Sequence, residues 1–125
     1  MIAYILDTNV LVRFLVGDHP VHQKQAQEWF KAAELGHCSI IVTPLVIAET
    51  CFVLESVYKH PRQAIADAME IFISQRWLRV AERDILLQLW PDYKRGLHFV
   101  DSYLRAWVKI YGGKAMSFDK QVVKE

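Results

Sequence analysis

Ile2-Ala3-Tyr4-Ile5-Leu6-Asp7-Thr8-Asn9-Val10-Leu11 opens the chain, and its reading decides the fold. Ile2 to Leu6 is a short, nearly continuous apolar run, which suits a strand buried on both faces, as in a parallel sheet. The run stops at Asp7. Val10, Leu11, Phe14 and Leu15 then recur with helical period, and Gly17 is a natural stop.

The same alternation continues outward. Pro20 opens a helix whose apolar face is Ala26, Trp29, Phe30 and Ala33, ended by Gly36. Ser39 to Val42 is a second buried strand, rich in β-branched residues. Thr43 is an N-cap with Pro44 behind it, starting a helix from Pro44 to about Tyr58. Pro61 opens a fourth helix with Ile65, Met69, Phe72 and Ile73 on its core side. Trp77 to Val80 is a short third strand, and Glu82 to Trp90 a helix interrupted near Pro91. A further helix spans Phe99 to Tyr111, ended by Gly112-Gly113, and Lys114 to Phe118 is the expected fourth strand, reaching Asp119. This order predicts an α/β layer structure with a parallel sheet, whose ligands sit at the carboxyl ends of the strands.

The 125 residues suit one domain, residues 1–125, without repeat or linker. Just over half are apolar and 23% are charged, as in a soluble globular protein. A net charge of +1 excludes bulk attraction to a polyanion, so any such contact needs a local basic patch or a metal. No apolar run approaches the ~18 residues of a membrane span, and no signal peptide precedes the first strand. Cys38 and Cys51 lack a CxxC partner and read as two buried, reduced thiols of a cytoplasmic chain.

Four acids fall at telling places. Asp7 follows the first strand and Asp119 the expected fourth, so they share an edge of a parallel sheet. Asp101 is near the start of the helix feeding that fourth strand. Glu49 lies in the helix after the second strand, where its neighbours Leu45, Val46, Phe52 and Val53 are apolar, so it faces the interior or a cleft wall. Glu55, with Lys59 at i+4, has the pattern of a solvated face. Oxygen-only ligands suit Mg²⁺ or Mn²⁺, whereas His19 and His22 are not placed as zinc ligands. Such ions activate water and stabilise a phosphoryl transition state, which makes phosphodiester hydrolysis the best-fitting chemistry. Structural roles compete: Asp7 as a helix cap, Asp101 paired with Arg105 at i+4, and Asp119 as a turn residue.

Ile5-Leu6-Asp7-Thr8-Asn9-Val10-Leu11, Thr43-Pro44-Leu45-Val46-Ile47-Ala48-Glu49, Phe99-Val100-Asp101-Ser102-Tyr103-Leu104 and Met116-Ser117-Phe118-Asp119-Lys120 together resemble the four motifs of the PIN-domain family. In particular they resemble the VapC-type toxins of toxin–antitoxin pairs, over nearly the whole chain and in order. The resemblance implies a three-layer fold around a central parallel sheet of about four strands. It implies an Mg²⁺- or Mn²⁺-dependent endoribonuclease with Asp7, Glu49, Asp101 and Asp119 as its acidic set, Asp7 and Asp101 first among the metal ligands. Asn9 and Ser117 would be polar groups supporting them. An RNA substrate, a homodimer and a cognate antitoxin whose arginine reaches the carboxylates also follow from the resemblance. Relatives continue into another edge strand, which the end at Glu125 leads us to expect absent or very short. His98 stands where many relatives carry another acid, and here a solvated histidine is expected.

Arg13, Arg95, Arg105 and Lys120 are candidates for a phosphate-holding cleft mouth, with solvated charge the safer reading of each. Trp29, Trp77, Trp90 and Trp107 suit packing better than base stacking, and Trp29-Phe30 and the Phe99 to Tyr111 helix are candidate partner contacts. Asn9 in place of a second aspartate argues against a dehalogenase-like phosphatase. A phosphorylation receiver would need a mid-chain acceptor aspartate, and a nucleotide-binding module a glycine-rich first turn; neither is present. The alternative kept is a catalytically silent PIN-like module that binds RNA or protein.

Overall fold

The structure is a computed structural model and describes residues 1–124. Three short strands, β1 (Ala3–Ile5), β2 (Ser39–Val42) and β3 (Leu78–Val80), form one sheet in the order β1-β2-β3. Both pairs are parallel, with Ala3 opposite Ser39 and Ile40 opposite Leu78. The helices between and after them are α1 (Thr8–Leu15), α2 (Pro20–Glu34), α3 (Pro44–Ser56), α4 (Arg62–Ile73), α5 (Arg83–Gln88), α6 (Trp90–Lys94), α7 (Phe99–Tyr111) and α8 (Lys120–Val123). The α/β class and parallel sheet read from the sequence are those observed.

The prolines act as starts. Pro20 and Pro44 occupy the first turns of α2 and α3, where a missing N–H costs nothing, and Pro61 is the extended N-cap of α4. The expected helix from Glu82 to Trp90 is instead two: α5 ends at Gln88, and Pro91 sits in the first turn of α6. On α4, Ile65, Met69, Phe72 and Ile73 are all buried, as their spacing predicts. They join Ile40, Val42, Leu86 and Leu89 in one continuous core. Trp90 and Tyr93 are fully buried in it, edge to face at 5.4 Å.

Arg83 fixes the junction between α4, β3 and α5. Its Nε donates to the Ile73 carbonyl at 2.9 Å, and its Nη2 donates to the carbonyls of Gln75 at 2.8 Å and Leu78 at 2.7 Å. One of them, that of Ile73, is a helix-end carbonyl without an intrahelical partner.

Three expectations fail. The run Ile2 to Leu6, read as buried on both faces, forms an exposed edge: Tyr4 is 53% exposed and Ile5 70%, and only Leu6 is buried. The buried strand is β2, flanked on both sides. The fourth strand, Lys114 to Phe118, does not form among the described residues. A strand exists only by pairing, and this segment does not reach β1. Gly112 and Gly113 take φ of 80° and 83°, a left-handed turn that sends the chain away from the end of α7. The chain returns as α8, which packs on α7, where Arg105 Nη1 donates to the Gln121 carbonyl at 3.0 Å and to that of Lys124. Cys38 is half-buried rather than buried, and both thiols are free.

Candidate active site

Because β1 and β2 are parallel, Asp7 after β1 and α3 after β2 start from the same carboxyl edge of the sheet. Helix α1 packs on α3, and α3 packs on α7. Asp7, at the start of α1, Glu49 on α3 and Asp101 on α7 thus belong to elements in contact with one another. Asp7 is exposed at the N-cap position of α1, yet its side chain makes no capping hydrogen bond. Glu49 is exposed rather than interior, because α3 is apolar all round and leaves Leu45 and Phe52 in solvent on the same face. Its carboxylate lines a groove of about 350 Å³ with Phe52, His98, Phe99 and Val100, which is the cleft-wall half of the expectation. His98 is exposed and caps α7, its Nδ1 accepting from the Val100 N–H at 3.4 Å.

Asp101 is half-buried in the first turn of α7. The sequence offered Arg105 as its i+4 partner, but Arg105 turns to Asp92 instead. Its Nε donates to Asp92 Oδ2 at 2.8 Å, and both side chains are nearly buried. Arg95 donates to the other oxygen of Asp92. Burial opposes the charge on Asp92, but the two guanidinium groups outweigh it and hold the carboxyl below its usual range. Asp119 is the one acid of the four in a structural role: its Oδ1 accepts from the Gln121 N–H at 2.8 Å, capping α8. Ser117 Oγ in turn accepts from the Asp119 N–H, and Asn9 is exposed at the start of α1.

The acidic residues separate into two groups. Asp18, Glu34, Glu55, Asp67, Glu70 and Asp92 are ion-paired. Glu82 and Asp84 accept from the hydroxyls of Tyr103 and Tyr111. Among the described residues the acids without a basic or tyrosine partner are Asp7, Glu28, Glu49, Asp101 and Asp119. Four of these five are the acids the sequence singled out. Glu55 belongs to the paired group for a reason sequence spacing missed. It meets Arg62 at 3.2 Å and the Tyr93 hydroxyl at 2.7 Å, not Lys59.

By chemistry the bare carboxylates fit a hard divalent cation, being oxygen donors with no competing positive group. By position they are incomplete: the described residues contain no group of three or more His, Cys, Asp or Glu side chains able to hold a metal ion. None of the four basic candidates lines the groove that holds Glu49, and three of them are paired elsewhere. Arg13 is bound to Asp18 and Tyr58, and Arg95 and Arg105 to Asp92. The thiol in the Glu49 groove is no nucleophile, since burial, helped by nearby Glu55, pushes Cys51 up to about 12.

A second concavity, of about 570 Å³, opens beside β1 and is lined by Tyr4, Ile5, Asp7, Val10, Trp29, Phe30 and Ile40, among others. Sequence reading missed it. Its signal was the unbroken apolar run at Ile2 to Leu6, which has the composition of an interior strand and the position of an edge. Trp29 is half exposed there, whereas Phe30 beside it belongs to the core and Trp90 is fully buried.

The sequence model of the PIN domain matches residues 4–124. The chain belongs to the PIN domain family. PIN domains are generally nucleases that use divalent metal ions, so the fold here is of nuclease type, and the carboxyl edge of its sheet is where such chemistry would sit. Neither a curated protein nor a solved structure matches the chain. No helix of this PIN domain is long and apolar enough to cross a membrane, among the described residues.

Proposed function

We propose that this PIN domain is a metal-dependent endoribonuclease of the VapC type, the cytoplasmic toxin of a toxin–antitoxin pair. The observation that carries the reading is the segregation of its acids: those at the family's motif positions are left without cationic partners, while most others are paired. A carboxylate left without a counter-charge is available to a cation or a substrate group.

Asp7 and Asp101 would hold the ion directly, Glu49 and Asp119 directly or through water, with Asn9 and Ser117 as polar supports. When bound, Mg²⁺ or Mn²⁺ supplies positive charge for the phosphate oxygens and activates a water. The chain's own part is to hold and orient. Glu49, on the groove wall, accepts a hydrogen bond from the attacking water and aims it along the line of the leaving oxygen. The water oxygen would bond to phosphorus and release a proton to solvent, the bridging P–O bond would break, and the leaving oxygen would take up a proton from solvent. A homodimer and an antitoxin arginine reaching the same carboxylates complete the reading.

The test is cleavage of an RNA panel by the folded, antitoxin-free chain with Mg²⁺ or Mn²⁺, with EDTA, and as Asp7→Asn. Cutting that needs the metal and is lost in the variant is expected. A folded sample that binds RNA without cutting would assign the silent binding module, a reading that the ungathered donor set also favours.

A further inference from the structure

Helices α1 and α2 pack on each other, and a crease of about 250 Å³ runs between them. Asn9 and Arg13 line it from α1, four positions apart and so on one face of that helix. His22, Gln25 and Trp29 line it from α2, three and four positions apart and again on one face. The floor is apolar, because Ala26 is buried and Val10 half-buried. Val10 and Trp29 also line the concavity that holds Asp7, so the two hollows adjoin.

The frame of the crease is fixed. Gln23 Nε2 donates to the Phe14 carbonyl at 3.2 Å, and the Phe30 ring meets Phe14 edge to face at 4.7 Å, which ties α2 to α1. The His22 ring stacks on that of His19 at 3.8 Å. Arg13 is engaged by Asp18 and Tyr58. Other groups are free. The carboxamides of Asn9 and Gln25 make no hydrogen bond among the described residues, although that of Gln23 does. Trp29 is 51% exposed and pairs with no aromatic ring among the described residues, whereas Phe30 beside it meets Phe14, Phe72 and Trp77. Packing, the first reading of Trp29, therefore leaves half of the indole unexplained. No acid lines the crease, so nothing in its walls repels an anionic strand.

An unpaired base is recognised by a flat face to stack on and by polar groups along its edge. Trp29 offers the face. A free carboxamide holds one donor group and one acceptor side by side, which matches the N6 amino group and N7 of adenine. Guanine would ask for a free guanidinium on its O6 and N7, and that of Arg13 is already held.

We propose that the crease between α1 and α2 reads one unpaired adenine of the RNA strand beside the cut, stacked on Trp29 with its edge on the Gln25 carboxamide. Trp29 and Gln25 are then the residues that set base preference, and Asn9, two positions after Asp7, stands where the crease joins the site. The place beside the cut rests on the nuclease reading above; the recognition of adenine does not.

The experiment uses the full chain and fluorescein-labelled uridine pentamers whose central base is adenine, cytosine, guanine or uracil, read by fluorescence anisotropy in EDTA. The adenine strand should bind about tenfold more tightly than the others. Gln25→Ala should level the four strands, and Gln25→Glu, which offers acceptors only, should turn the preference to cytosine through its N4 amino group. Trp29→Ala should weaken every strand by about tenfold and keep their order, since stacking tolerates any base. Both side chains are exposed, so circular dichroism of the variants should match wild type. The same strands are then incubated with Mn²⁺, where cutting beside the adenine is expected. A wild type that cuts but binds all four strands equally overturns the subsite and leaves the nuclease reading standing. So does a preference for adenine that survives in both Gln25 variants. Adenine preference that depends on Gln25, with no cutting, overturns the nuclease reading and keeps the subsite. Neither binding nor cutting overturns both.

Discussion

Asp92 and Asp101 are nine positions apart, and the protein treats them in opposite ways. Asp92 is 5% exposed and clamped by two arginines, Arg95 and Arg105. Asp101 lies one turn before Arg105 on the same helix, half-buried and without a basic partner. A carboxylate that serves the fold is enclosed with its counter-charge, because a buried charge without a partner is expensive. The carboxylate we propose for chemistry is left available. The same guanidinium makes both outcomes: by turning to Asp92 it leaves Asp101 bare.

The contrast breaks most visibly at the bare acids. Asp7→Asn and Asp101→Asn should each reduce metal-dependent RNA cleavage at least roughly a hundredfold, since the charge stabilisation at stake is several kcal/mol and each tenfold is about 1.4 kcal/mol. Their urea midpoints should stay within experimental error of wild type, because neither side chain holds a structural bond. Equal losses of activity and stability would erase the distinction.

The paired acid should respond the other way. Asp92→Asn leaves Arg105 nearly buried without its carboxylate, and unfolding should become easier by about 3 kcal/mol in urea titration. Any loss of activity should follow only the fraction unfolded. The pH dependence has the same origin. The two arginines hold the Asp92 carboxyl below the usual carboxylate range, so its contribution is present above that range and fades as pH falls through the folded pKa. Acid unfolding of Asp92→Asn should lack this component.

A smaller effect sharpens the contrast at alkaline pH. Burial pushes the Cys51 thiol up to about 12, so between about pH 9 and that value only the unfolded chain ionises there and stability falls as pH rises. Cys51→Ala should flatten that slope although it removes some packing. In the native protein a thiol reagent should modify half-buried Cys38 well before Cys51.

Much of this was legible in the sequence where the determinant is local. The bounds of α7, Phe99 to Tyr111, were read from periodicity and the glycine pair, and the starts of α2 and α3 from their prolines. Asp7, Glu49 and Asp101 could be placed relative to elements that form, whereas Asp119 was placed after a strand that does not form. The partner of Arg105 could not, because a long side chain can swing to a helix thirteen residues back as readily as to the next turn. Asp92 carried no sign of its importance. The fate of Lys114 to Phe118 was equally hidden, since composition shows what can be a strand but not which edge it reaches. For the same reason the run Ile2 to Leu6 announced an interior strand without saying what would cover it.

The three carbonyls gathered by Arg83 come from both sides of the α4–β3 connection, while the guanidinium itself hangs from α5. A lysine there, with one compact ammonium in place of a flat fork, would not bridge them in the same way. The consequence is a limit on modularity: the connection from Ser74 to Trp77 cannot be shortened or grafted elsewhere as a self-contained piece, because its shape is set by an anchor that arrives later in the chain.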